Sequence, residues 1–508
     1  MTTPADPTPA PATDLAAFRL DKLQKIEALG IDPWGGRFDG RIAIGTIREM
    51  PAVALEENPT DSVVRTAGRI VQRRDQGNLH FIDIQDATGR IQLMVGKKAI
   101  PEVEWKLANL LDLGDLIGIE GVFGKSRRGE LSVRVTSLTI LSKSIEPPPT
   151  TYYGMADIEY RLRHRYLDLI YTPETMVRTK QRIKLVRTIR NHLEAQGYEE
   201  VETPIFHTIA GGAAARPFQT HHNALDISLV LRIALELHLK RLLVGGIEKV
   251  FEIGRVFRNE GISHKHNPEF TMLELYEAYG DYRSMMDLTE GLIVACVDAL
   301  SGGDSGGRVR PWGDKSVDYN PPFQRASYAD LFAEHVGVPM TDVAGVEAAA
   351  RSHKLPTAGK EHDVIVNALF EHLVEDKLVG PVFVIDYPAA LCPLTRRKRD
   401  DPAIAERFEL YVHGMELANA YTELNDPITQ EATFRRQLVG QNAEDSMAVM
   451  DDDFIRALRH AMPPAGGLGI GIDRLVMLLT NTPTIRDVIL FPLLRPEAAK
   501  ATEEKPVT

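Results

Sequence analysis

A charged turn between two strand-like segments constrains this chain more than any other feature of its sequence. The first segment, residues 249–258, alternates its side chains with the period of two that is typical of a β-strand. Residues 259–268 carry glycine, serine, asparagine and proline, which are turn-forming types, and a second strand-like segment begins at Phe270. The pattern predicts two strands joined by a loop.

The residues around this turn are more strongly charged than an exposed hairpin requires. They are Arg258, Glu260, His264, Lys265, His266 and Glu269. An arginine held in a rigid strand is suited to bind a phosphate or carboxylate through two parallel hydrogen bonds. Phe270 can stack on a planar ring. An exposed hairpin explains any one of these residues, but it is a poor explanation of the set.

Residues 62–144 show a different pattern, with five β-rich segments separated by glycine, aspartate and asparagine turns. A helical piece falls between the third and fourth segments, which is the order of an OB-fold barrel, a common oligonucleotide binder. Phe81 would supply a stacking ring beside cations, as single-stranded RNA recognition requires. The nearby cations are Arg69, Arg73 and Arg74. A core phenylalanine with solvated arginines explains these residues equally well.

Composition places the chain among globular proteins of several domains: it has 508 residues, of which 44% are hydrophobic and 26% charged. No apolar run is long enough to span a membrane, and the N-terminus lacks the features of a secretory signal. The two cysteines, Cys296 and Cys392, lie far apart in sequence, which predicts a cytoplasmic location and excludes a cysteine-based zinc site. The formal net charge of −12 argues against nucleic-acid binding, but local basic clusters leave it open.

Residues 211–246 combine several glycines with an acidic residue in an apolar run. The glycines permit close approach of the backbone to a ligand. Glu236 lies within LRIALELHLKRLL, so it is either an exposed helix position or a partnered buried charge. The spacing leaves both alternatives open.

Three acidic residues recur at every seventh position: Glu409, Glu416 and Glu423. A helix would place them on one face, but the β-rich segment FELYV and the break at Gly414 favour two strands. Acids that face a triphosphate require a cation, and Mg²⁺ takes carboxylate oxygens while it bridges phosphates. The pattern therefore indicates a magnesium site.

The segment GGLGIGID, residues 466–473, alternates glycine with leucine or isoleucine. Its apolar side chains face one way, so the glycines leave the other strand face bare for a large ligand. We predict that Asp473 caps the following helix and that Arg474 emerges at the positive end of this helix. Both features favour a bound phosphate.

The turn FRNEGISHKHNPEF, followed by TMLELYEAYGDY, resembles motif 2 of the class II aminoacyl-tRNA synthetases in the form found in lysyl-tRNA synthetases. The helix, strand and proline of residues 173–204 are similar to motif 1, and GGLGIGIDRLVMLLT is similar to motif 3. The resemblance implies an α+β fold, with an N-terminal five-stranded OB-fold β-barrel that binds the anticodon. A class II catalytic domain, an antiparallel sheet flanked by helices, follows.

The predicted domains follow this order. They are a disordered tail (1–13), a helical lead-in (14–61), the OB-fold anticodon-binding domain (62–144), a linker (145–172), the catalytic domain (173–496, with a helical insertion at about 327–377) and a second disordered tail (497–508).

The resemblance implies a lysine–tRNA ligase that activates L-lysine with ATP and Mg²⁺ and transfers the lysine to tRNA(Lys). Motif 1 implies a homodimer. Arg258, on the α-phosphate and the substrate carboxylate, and Arg474, on the γ-phosphate, are the implied catalytic residues. The other implied ATP-binding residues are Glu260, His266, Asn267, Phe270 and Glu409, and the implied metal ligands are Glu409 and Glu416.

The lysine-binding and anticodon-binding residues are likewise implied by the resemblance. For the α-ammonium they are Gly212 and Glu236, for the carboxylate Asn419, for the ε-ammonium Glu274, Tyr276 and Glu423, and for the aliphatic stem Tyr421. For the anticodon they are Phe81, Gln92 and Glu130. The family usually has Pro and Tyr where this chain has Leu235 and His238, and Glu and Ser where it has Ala390 and Cys392.

Three alternatives share parts of this pattern. An aspartyl- or asparaginyl-tRNA synthetase has the same architecture, but an aspartate side chain would need a cation where this chain offers acids. A stand-alone lysine ligase that modifies a protein would lack the barrel domain. A catalytically inactive paralogue would have lost Arg258, Arg474 or the paired acids, all of which are present. The sequence therefore predicts an active lysine–tRNA ligase, with an inactive or protein-modifying paralogue as the alternative.

Overall fold

The structure is a computed structural model that describes residues 12–57, 62–149, 156–213, 215–302, 305–438 and 450–496. The chain forms two compact units, Met1–Asp157 and Ile158–Thr508. Among the described residues, no helix has the length and apolar character needed to cross a membrane. Both predicted tails lie outside the described residues, except that the first helix already begins at Ala12.

The N-terminal unit contains a closed barrel, which has five strands in the part that the structure describes. The strands are β1 (Val63–Gln76), β2 (Leu79–Gln85), β3 (Arg90–Gly96), β4 (Leu116–Lys125) and β5 (Leu131–Ser142), in the order β1-β2-β3-β5-β4. The helices are α1 (Ala12–Ala28), α2 (Ile44–Glu49) and α3 (Glu102–Leu110). Because side chains alternate along a strand, Ile82, Ile84 and Leu93 are fully buried inside the barrel. The helix after the third strand confirms the predicted OB-fold.

The C-terminal unit is built on a large sheet with helices packed against it. Its helices are α4 (Ile158–Arg163), α5 (Arg165–Tyr171), α6 (Pro173–Glu194), α7 (Glu236–Val244), α8 (Tyr282–Leu300), α9 (Tyr328–Val336), α10 (Val343–Ser352), α11 (His362–Leu373), α12 (Pro427–Leu438), α13 (Asp452–Leu458), α14 (Ile472–Leu479) and α15 (Ile485–Val488). Its strands are β6 (Glu199–Glu200), β7 (Phe206–His207), β8 (Gln219–His222), β9 (Ile227–Leu231), β10 (Lys249–Phe257), β11 (Glu269–Ala278), β12 (Val309–Trp312), β13 (Lys315–Asp318), β14 (Gln324–Ser327), β15 (Val382–Ile385), β16 (Arg407–Val412), β17 (Met415–Thr422) and β18 (Ala465–Gly471).

Within the described ranges, the main sheet has the order β14-β15-β16-β17-β18-β11-β10-β6. Its pairs are antiparallel except at the two edges, where β14 runs parallel to β15 and β6 runs parallel to β10. The predicted pair around the charged turn is present as β10 and β11, which are hydrogen-bonded from Lys249 opposite Glu277 to Phe257 opposite Glu269. The mixed architecture confirms the predicted α+β class.

Strand β11 shows how the sheet separates its core from its open face. Leu273 and Leu275 are fully buried in the main core, which includes residues of α6, α8 and α14. Because successive side chains point to opposite faces, Phe270, Glu274 and Tyr276 lie on the other face. The same strand therefore contributes to stability on one side and lines a site on the other.

A bulge in the β16–β17 pair brings two polar side chains together. Leu410 pairs with Ala418, but the next residue, Tyr411, pairs with Glu416, so β17 contains an extra residue here. As a result Glu416 and Asn419, three positions apart, share one face, and the Asn419 amide donates to Glu416 Oε1 at 3.2 Å. The left-handed turn at Gly414 (φ 64°) separates the two strands, as the sequence predicted.

A buried ion pair connects α14, β11 and α6. Asp473 accepts a hydrogen bond from Arg182 on α6 at 2.6 Å and another from the backbone N–H of Thr271 at 2.7 Å. The prediction that Asp473 caps α14 is therefore wrong, because α14 begins after Gly471 without a side-chain cap. The carboxylate instead fixes the position of β11 relative to two helices.

Replacing Arg182 with methionine is expected to lower the free energy of unfolding by about 3 kcal/mol, because Asp473 would remain buried without its cation. Arg190 on the same helix offers a matched control, since its ion pair with Glu200 at 2.9 Å is partly exposed. Arg190→Met should cost less than about 1 kcal/mol. Urea denaturation of the full chain, followed by circular dichroism, measures both values, and equal losses would contradict the assignment.

Candidate active site

A cavity of about 260 Å³ lies on the open face of the sheet. It is bounded by the 259–268 loop, β11, β17, β18 and the first turn of α14. Eight of the predicted site residues line it: Arg258, Glu260, His266, Asn267, Phe270, Glu416, Asn419 and Arg474. Sequence motifs that are more than 200 residues apart therefore meet in one cavity.

Arg258 is held in place at the floor of this cavity. Its Nε donates to the backbone carbonyl of Ile233 at 3.3 Å, and its guanidinium carbon lies 5.3 Å from the centre of the Phe270 ring. Burial lowers the pKa of Arg258, while Glu274 and Glu260 act in the opposite sense. A fixed planar cation beside an aromatic ring can bind a phosphate or carboxylate while the ring stacks on a planar ligand.

The second arginine, Arg474, also lines this cavity. Its Nη1 donates to the backbone carbonyl of Glu416 at 2.6 Å and lies 3.4 Å from the Glu416 carboxylate, and its Nη2 lies 3.3 Å from His266 Nε2. These contacts link motif 3 to the loop of motif 2. Asn267 adds a buried side-chain oxygen without a hydrogen-bond partner in the described region, so this oxygen can accept from a ligand.

The two acids predicted to hold a metal are placed differently. Glu416 lines the cavity, and although burial opposes its ionisation, Arg474 and the Asn419 amide lower its pKa below the ordinary value. Glu409 does not line the cavity, because its carboxylate accepts hydrogen bonds from Tyr387 (2.8 Å), Tyr411 (2.6 Å) and Arg407. Glu409 nevertheless lies on the same sheet face as Glu416, because it pairs with Asn419 across β16 and β17, and the Asn419 amide contacts Glu416.

Among the described residues, no group of three or more His, Cys, Asp or Glu residues is arranged to hold a metal ion. Mg²⁺ rarely needs such a group, because it usually takes one or two carboxylates and completes its shell with phosphate oxygens and water. The ionised carboxylate of Glu416, which lines the same cavity as Arg258 and Arg474, fits this mode of binding.

A second group of functional residues, here called the second compartment, lies next to the cavity on the same sheet face. Its residues fall into two rows across β17, β18 and β11. One row is Asn419, Gly469 and Glu274, and the next is Tyr421, Gly467 and Tyr276. Both rows place a glycine between two functional side chains. The strand face is open at Gly469, as the bare glycine face predicted, whereas the Glu423 carboxylate occupies the space over Gly467.

The polar groups of this compartment contact one another. Tyr421 donates to Glu236 at 2.9 Å, and Tyr276 donates to Glu274 at 3.4 Å. Glu236 and Glu423 are joined by the ammonium of Lys240, which lies 2.5 Å from Glu236 Oε1. Of the two alternatives for Glu236, an exposed helix position or a partnered buried charge, the second is correct, because Glu236 is only 4% exposed.

Gly212 completes this compartment beside Glu236. Its φ of 86° favours glycine, and a Cβ there would lie 3.1 Å from the Ala234 Cβ and 3.2 Å from the Glu236 Cβ. All seven residues predicted to bind lysine are therefore in or next to one compartment. Burial raises the pKa of Glu274 to about 7 and that of Glu423 to about 8, so a cationic ligand would stabilise the ionised form of both carboxylates.

Comparison with known proteins agrees with this geometry. Residues 157–495 match the family model described as tRNA synthetases class II (D, K and N), and residues 64–141 match an OB-fold nucleic acid binding domain. The lysine–tRNA ligase of Halalkalibacterium halodurans is 47% identical over 502 residues, which cover 96% of this chain and 98% of that protein. The lysine–tRNA ligase of Moorella thermoacetica is 48% identical over 490 residues, which cover 95% and 98%.

This chain belongs to the lysine–tRNA ligase family of class II synthetases. A third relative, the lysine–tRNA ligase of Pelotomaculum thermopropionicum, is 48% identical and is also matched over 95% of both chains.

At four positions this lysine–tRNA ligase family member has a residue other than the one usual in the family, and at two of these positions the structure shows a new contact. The backbone N–H of Leu235, which a proline would lack, donates to the Glu274 carboxylate at 3.0 Å. The Cys392 thiol contacts Arg407 at 3.3 Å, behind Glu409. Ala390 is exposed and His238 packs against His207, with ring centres 4.6 Å apart.

The three predicted anticodon residues of this family member lie on the outer face of β2 and β3 and just before β5. Phe81 is half-buried and Glu130 exposed, whereas Gln92 is only 5% exposed. Phe81 and Asp83 share the outer face of β2, and Gln92, opposite Asp83, donates to Glu130 at 2.9 Å. Arg74, opposite Phe81, has its guanidinium carbon 6.0 Å from the ring.

The predicted cation cluster is smaller than the sequence suggested. Arg73 donates at 2.8 Å to the backbone carbonyls of Ala108 and Leu111 and pairs with Asp75, while Arg69 donates to Gly114. These two arginines satisfy carbonyls within the N-terminal unit, so of the three predicted cations Arg74 is the one that lies beside Phe81.

Sequence reasoning missed several residues that organise the site of this family member. Lys240 follows Glu236 by four positions, a helical spacing at which Glu and Lys side chains meet, and this signal is present in the sequence. Arg232 pairs with Glu252 at 2.6 Å and donates to the backbone of Thr203, and Arg182 pairs with Asp473. No local pattern indicates these last two pairs.

Proposed function

We propose that this chain is a lysine–tRNA ligase, which activates L-lysine with ATP and transfers the lysine to tRNA(Lys). The observation that carries the proposal is that the two compartments occupy adjacent rows of one sheet face. One contains two fixed arginines and an aromatic ring, and the other contains three buried acids between tyrosine rings. An anionic nucleotide and a cationic amino acid therefore have adjacent places on one sheet face.

In the first step, a carboxylate oxygen of lysine attacks the α-phosphorus of ATP, and pyrophosphate leaves with the bonding electrons. Arg258 would hold both the α-phosphate and the substrate carboxylate, and Arg474 would hold the γ-phosphate. Phe270 would stack on adenine, while Glu260, His266 and Asn267 support the nucleotide. Such a reaction needs no protein nucleophile, because positioning and charge stabilisation suffice.

We propose that the family's divalent cation is Mg²⁺ and that Glu416 supplies one of its protein ligands. When bound, the ion would neutralise charge on the phosphates. Glu409 lies on the same sheet face, and its Oε1, which accepts from Arg407, has room for a further ligand, so Glu409 would supply the second carboxylate.

Lysine would enter the second compartment with its side chain first. Glu423, Glu274 and Tyr276 would take the ε-ammonium, and Tyr421 would pack on the methylene stem. Glu236 and the backbone of Gly212 would take the α-ammonium, while Asn419 would bind the carboxylate. The acids of this pocket would repel the side-chain carboxylate of aspartate. This charge distinguishes a pocket for lysine from one that an aspartyl-tRNA synthetase would need.

Transfer to tRNA tests this function. Incubation of the protein with radioactive lysine, ATP and tRNA(Lys) should give acid-precipitable lysyl-tRNA, and omission of the tRNA should abolish the product. Label on a protein instead of on tRNA would favour the protein-modifying alternative. No label on either would favour the inactive paralogue.

We propose that Phe81, Gln92 and Glu130 read the anticodon. Phe81→Ala should lower kcat/KM for tRNA charging by about 5- to 150-fold, because stacking of one base contributes about 1–3 kcal/mol. Lysine-dependent ATP–pyrophosphate exchange should not change. Trp34→Ala, which removes another exposed aromatic ring of the same unit, is the control and should leave charging unchanged. A loss of exchange in Phe81→Ala would contradict an anticodon role.

We propose that the chain forms a homodimer through its motif 1 region. Several large apolar side chains in and near this region are exposed in the single chain: Val177, Ile183, Ile205, Phe206 and Leu225. Sedimentation equilibrium should give twice the chain mass of 56.5 kDa, and Phe206→Asp should give the single mass. Val379→Asp, at an exposed site outside this region, should remain dimeric. A single mass for the unaltered protein would contradict the proposal.

We propose a cytoplasmic location. Cys296 and Cys392 are both free and buried, as expected for a protein that folds in a reducing compartment.

A further inference from the structure

Lys240 occupies an unusual position for a lysine. Its side chain is only 1% exposed, and its ammonium contacts Glu236 and Glu423, which the proposed function assigns to different ends of the substrate. The same ammonium lies 5.8 Å from the centre of the Tyr276 ring and 5.7 Å from that of Tyr421. Two acids and two aromatic rings are the surroundings that a bound substrate ammonium would have.

We propose that Lys240 is a positioning residue for the amino-acid substrate, an internal ammonium that orients Glu236 and Glu423 and cancels one of their charges. This inference rests on the proposed function of the compartment. It concerns how the pocket matches its substrate rather than whether the pocket binds one.

The charges of the compartment support this assignment. With all three acids ionised, as in the state that binds lysine, Glu236, Glu274 and Glu423 would carry three negative charges. Lys240 reduces the sum to two, which equals the number of ammonium groups on lysine. Arg258, the cation that acts on Glu274, remains for the substrate carboxylate. Without Lys240 the pocket would hold one more buried negative charge than the substrate can neutralise, and a buried unpaired charge is costly.

The hydrogen bonds show that Lys240 leaves acceptor positions free on both Glu236 and Glu423. Glu236 accepts from Lys240 through Oε1 and from Tyr421 through Oε2, and a carboxylate has about four acceptor positions. Glu423 Oε1 is buried without a hydrogen-bond partner among the described residues. Both acids can therefore accept a second ammonium while Lys240 stays in place.

The pH dependence of binding follows from the groups that face Lys240. These are Glu236 on α7, Glu274 and Tyr276 on β11, and Tyr421 and Glu423 at the end of β17. Burial raises the pKa of Glu423 to about 8, whereas Lys240 acts to lower it. Lysine binds to ionised carboxylates, so its affinity should increase with pH, and loss of Lys240 should move this increase to higher pH.

Steady-state ATP–pyrophosphate exchange at several pH values tests the proposal with Lys240→Met. Since one pKa unit changes the ionised fraction tenfold, KM for lysine should rise about 10- to 100-fold near pH 7 but less than about threefold near pH 9. KM for ATP and kcat should change little. Comparison with the unaltered protein at each pH removes the effect of substrate ionisation.

Two further variants complete the test. Lys240→Arg keeps the charge and should restore the original pH profile. Lys249→Met removes a lysine with similar partners outside the compartment, Glu277 at 2.6 Å and the Tyr198 ring at 5.2 Å, and should leave KM unchanged.

Two outcomes would overturn the proposal. A lower KM for lysine in Lys240→Met would show that the internal ammonium competes with substrate. Equal increases in both KM values at every pH would show that Lys240 only supports the fold. Absence of lysine-dependent exchange in the unaltered protein would instead reject the proposed function itself.

Discussion

Replacing Arg258 with methionine is expected to reduce lysine-dependent ATP–pyrophosphate exchange by about 10³-fold or more. Removal of a single preorganised donor to a developing charge already costs about 10²–10³ in kcat, and Arg258 would contact both reacting partners. Arg258→Lys should recover little, because an ammonium cannot hold two oxygens in the geometry of a planar fork. Initial rates with saturating ATP and lysine measure the effect.

Arg255 provides the matched control for this experiment. It lies three residues earlier on β10, is partly exposed, and has its Nε 3.7 Å from Glu269. Arg255→Met removes the same side-chain type from the same strand and should change the rate by less than about threefold, as expected for a surface ion pair. Activity of Arg258→Met within tenfold of the unaltered protein would contradict the assigned role.

Adding one methyl group at Gly467 is expected to have the second-largest effect, a rise in KM for lysine of about 100-fold or more. A Cβ at Gly467 would overlap Glu423 Oε1 and lie 2.7 Å from a ring carbon of Tyr276. Neither neighbour can move easily, since Glu423 is paired with Lys240 and Tyr276 is only 3% exposed. Overpacking of such a site typically costs about 1–3 kcal/mol or more.

Gly469, two residues away on the same strand face, is the control for Gly467. A Cβ there would lie 3.5 Å from Asn419 Oδ1 and 3.5 Å from the Met272 methyl group, which is ordinary contact. Gly469→Ala should therefore raise KM for lysine by less than about tenfold, well below the effect of overpacking. KM values from exchange assays distinguish the two variants, and equal effects would contradict the placement of the lysine side chain beside Gly467.

The parts of the fold that repeat a local pattern could be predicted from the sequence. The period of two along residues 269–278 is sufficient to place Phe270, Glu274 and Tyr276 on one face of a strand, and the alternating glycines of β18 likewise predict its bare face. Five turn-separated segments were enough to predict the barrel. These features depend on neighbours along the chain, so the sequence contains them directly.

The parts that depend on distant contacts could not be predicted in this way. Neither the bulge in β17, which places Glu416 on the sheet face of Asn419 and Glu409, nor the hydrogen bond from Tyr387 to Glu409 is visible as a local pattern. Likewise, Asp473 has the residue type of a helix cap, yet its partner Arg182 lies 291 residues away. Local propensity could not reveal either contact.

In the proposed function, three buried acids beside a nucleotide cavity select lysine for activation. ATP–pyrophosphate exchange with a panel of amino acids, with Mg²⁺ and with EDTA, measures whether this claim holds. We expect Mg²⁺-dependent exchange with lysine and weaker exchange with ornithine, by about 10- to 200-fold, because one methylene is worth about 1–3 kcal/mol. Arginine and aspartate should give no exchange above background. Equal exchange efficiency for arginine and lysine, or no exchange with any amino acid, would contradict the claim.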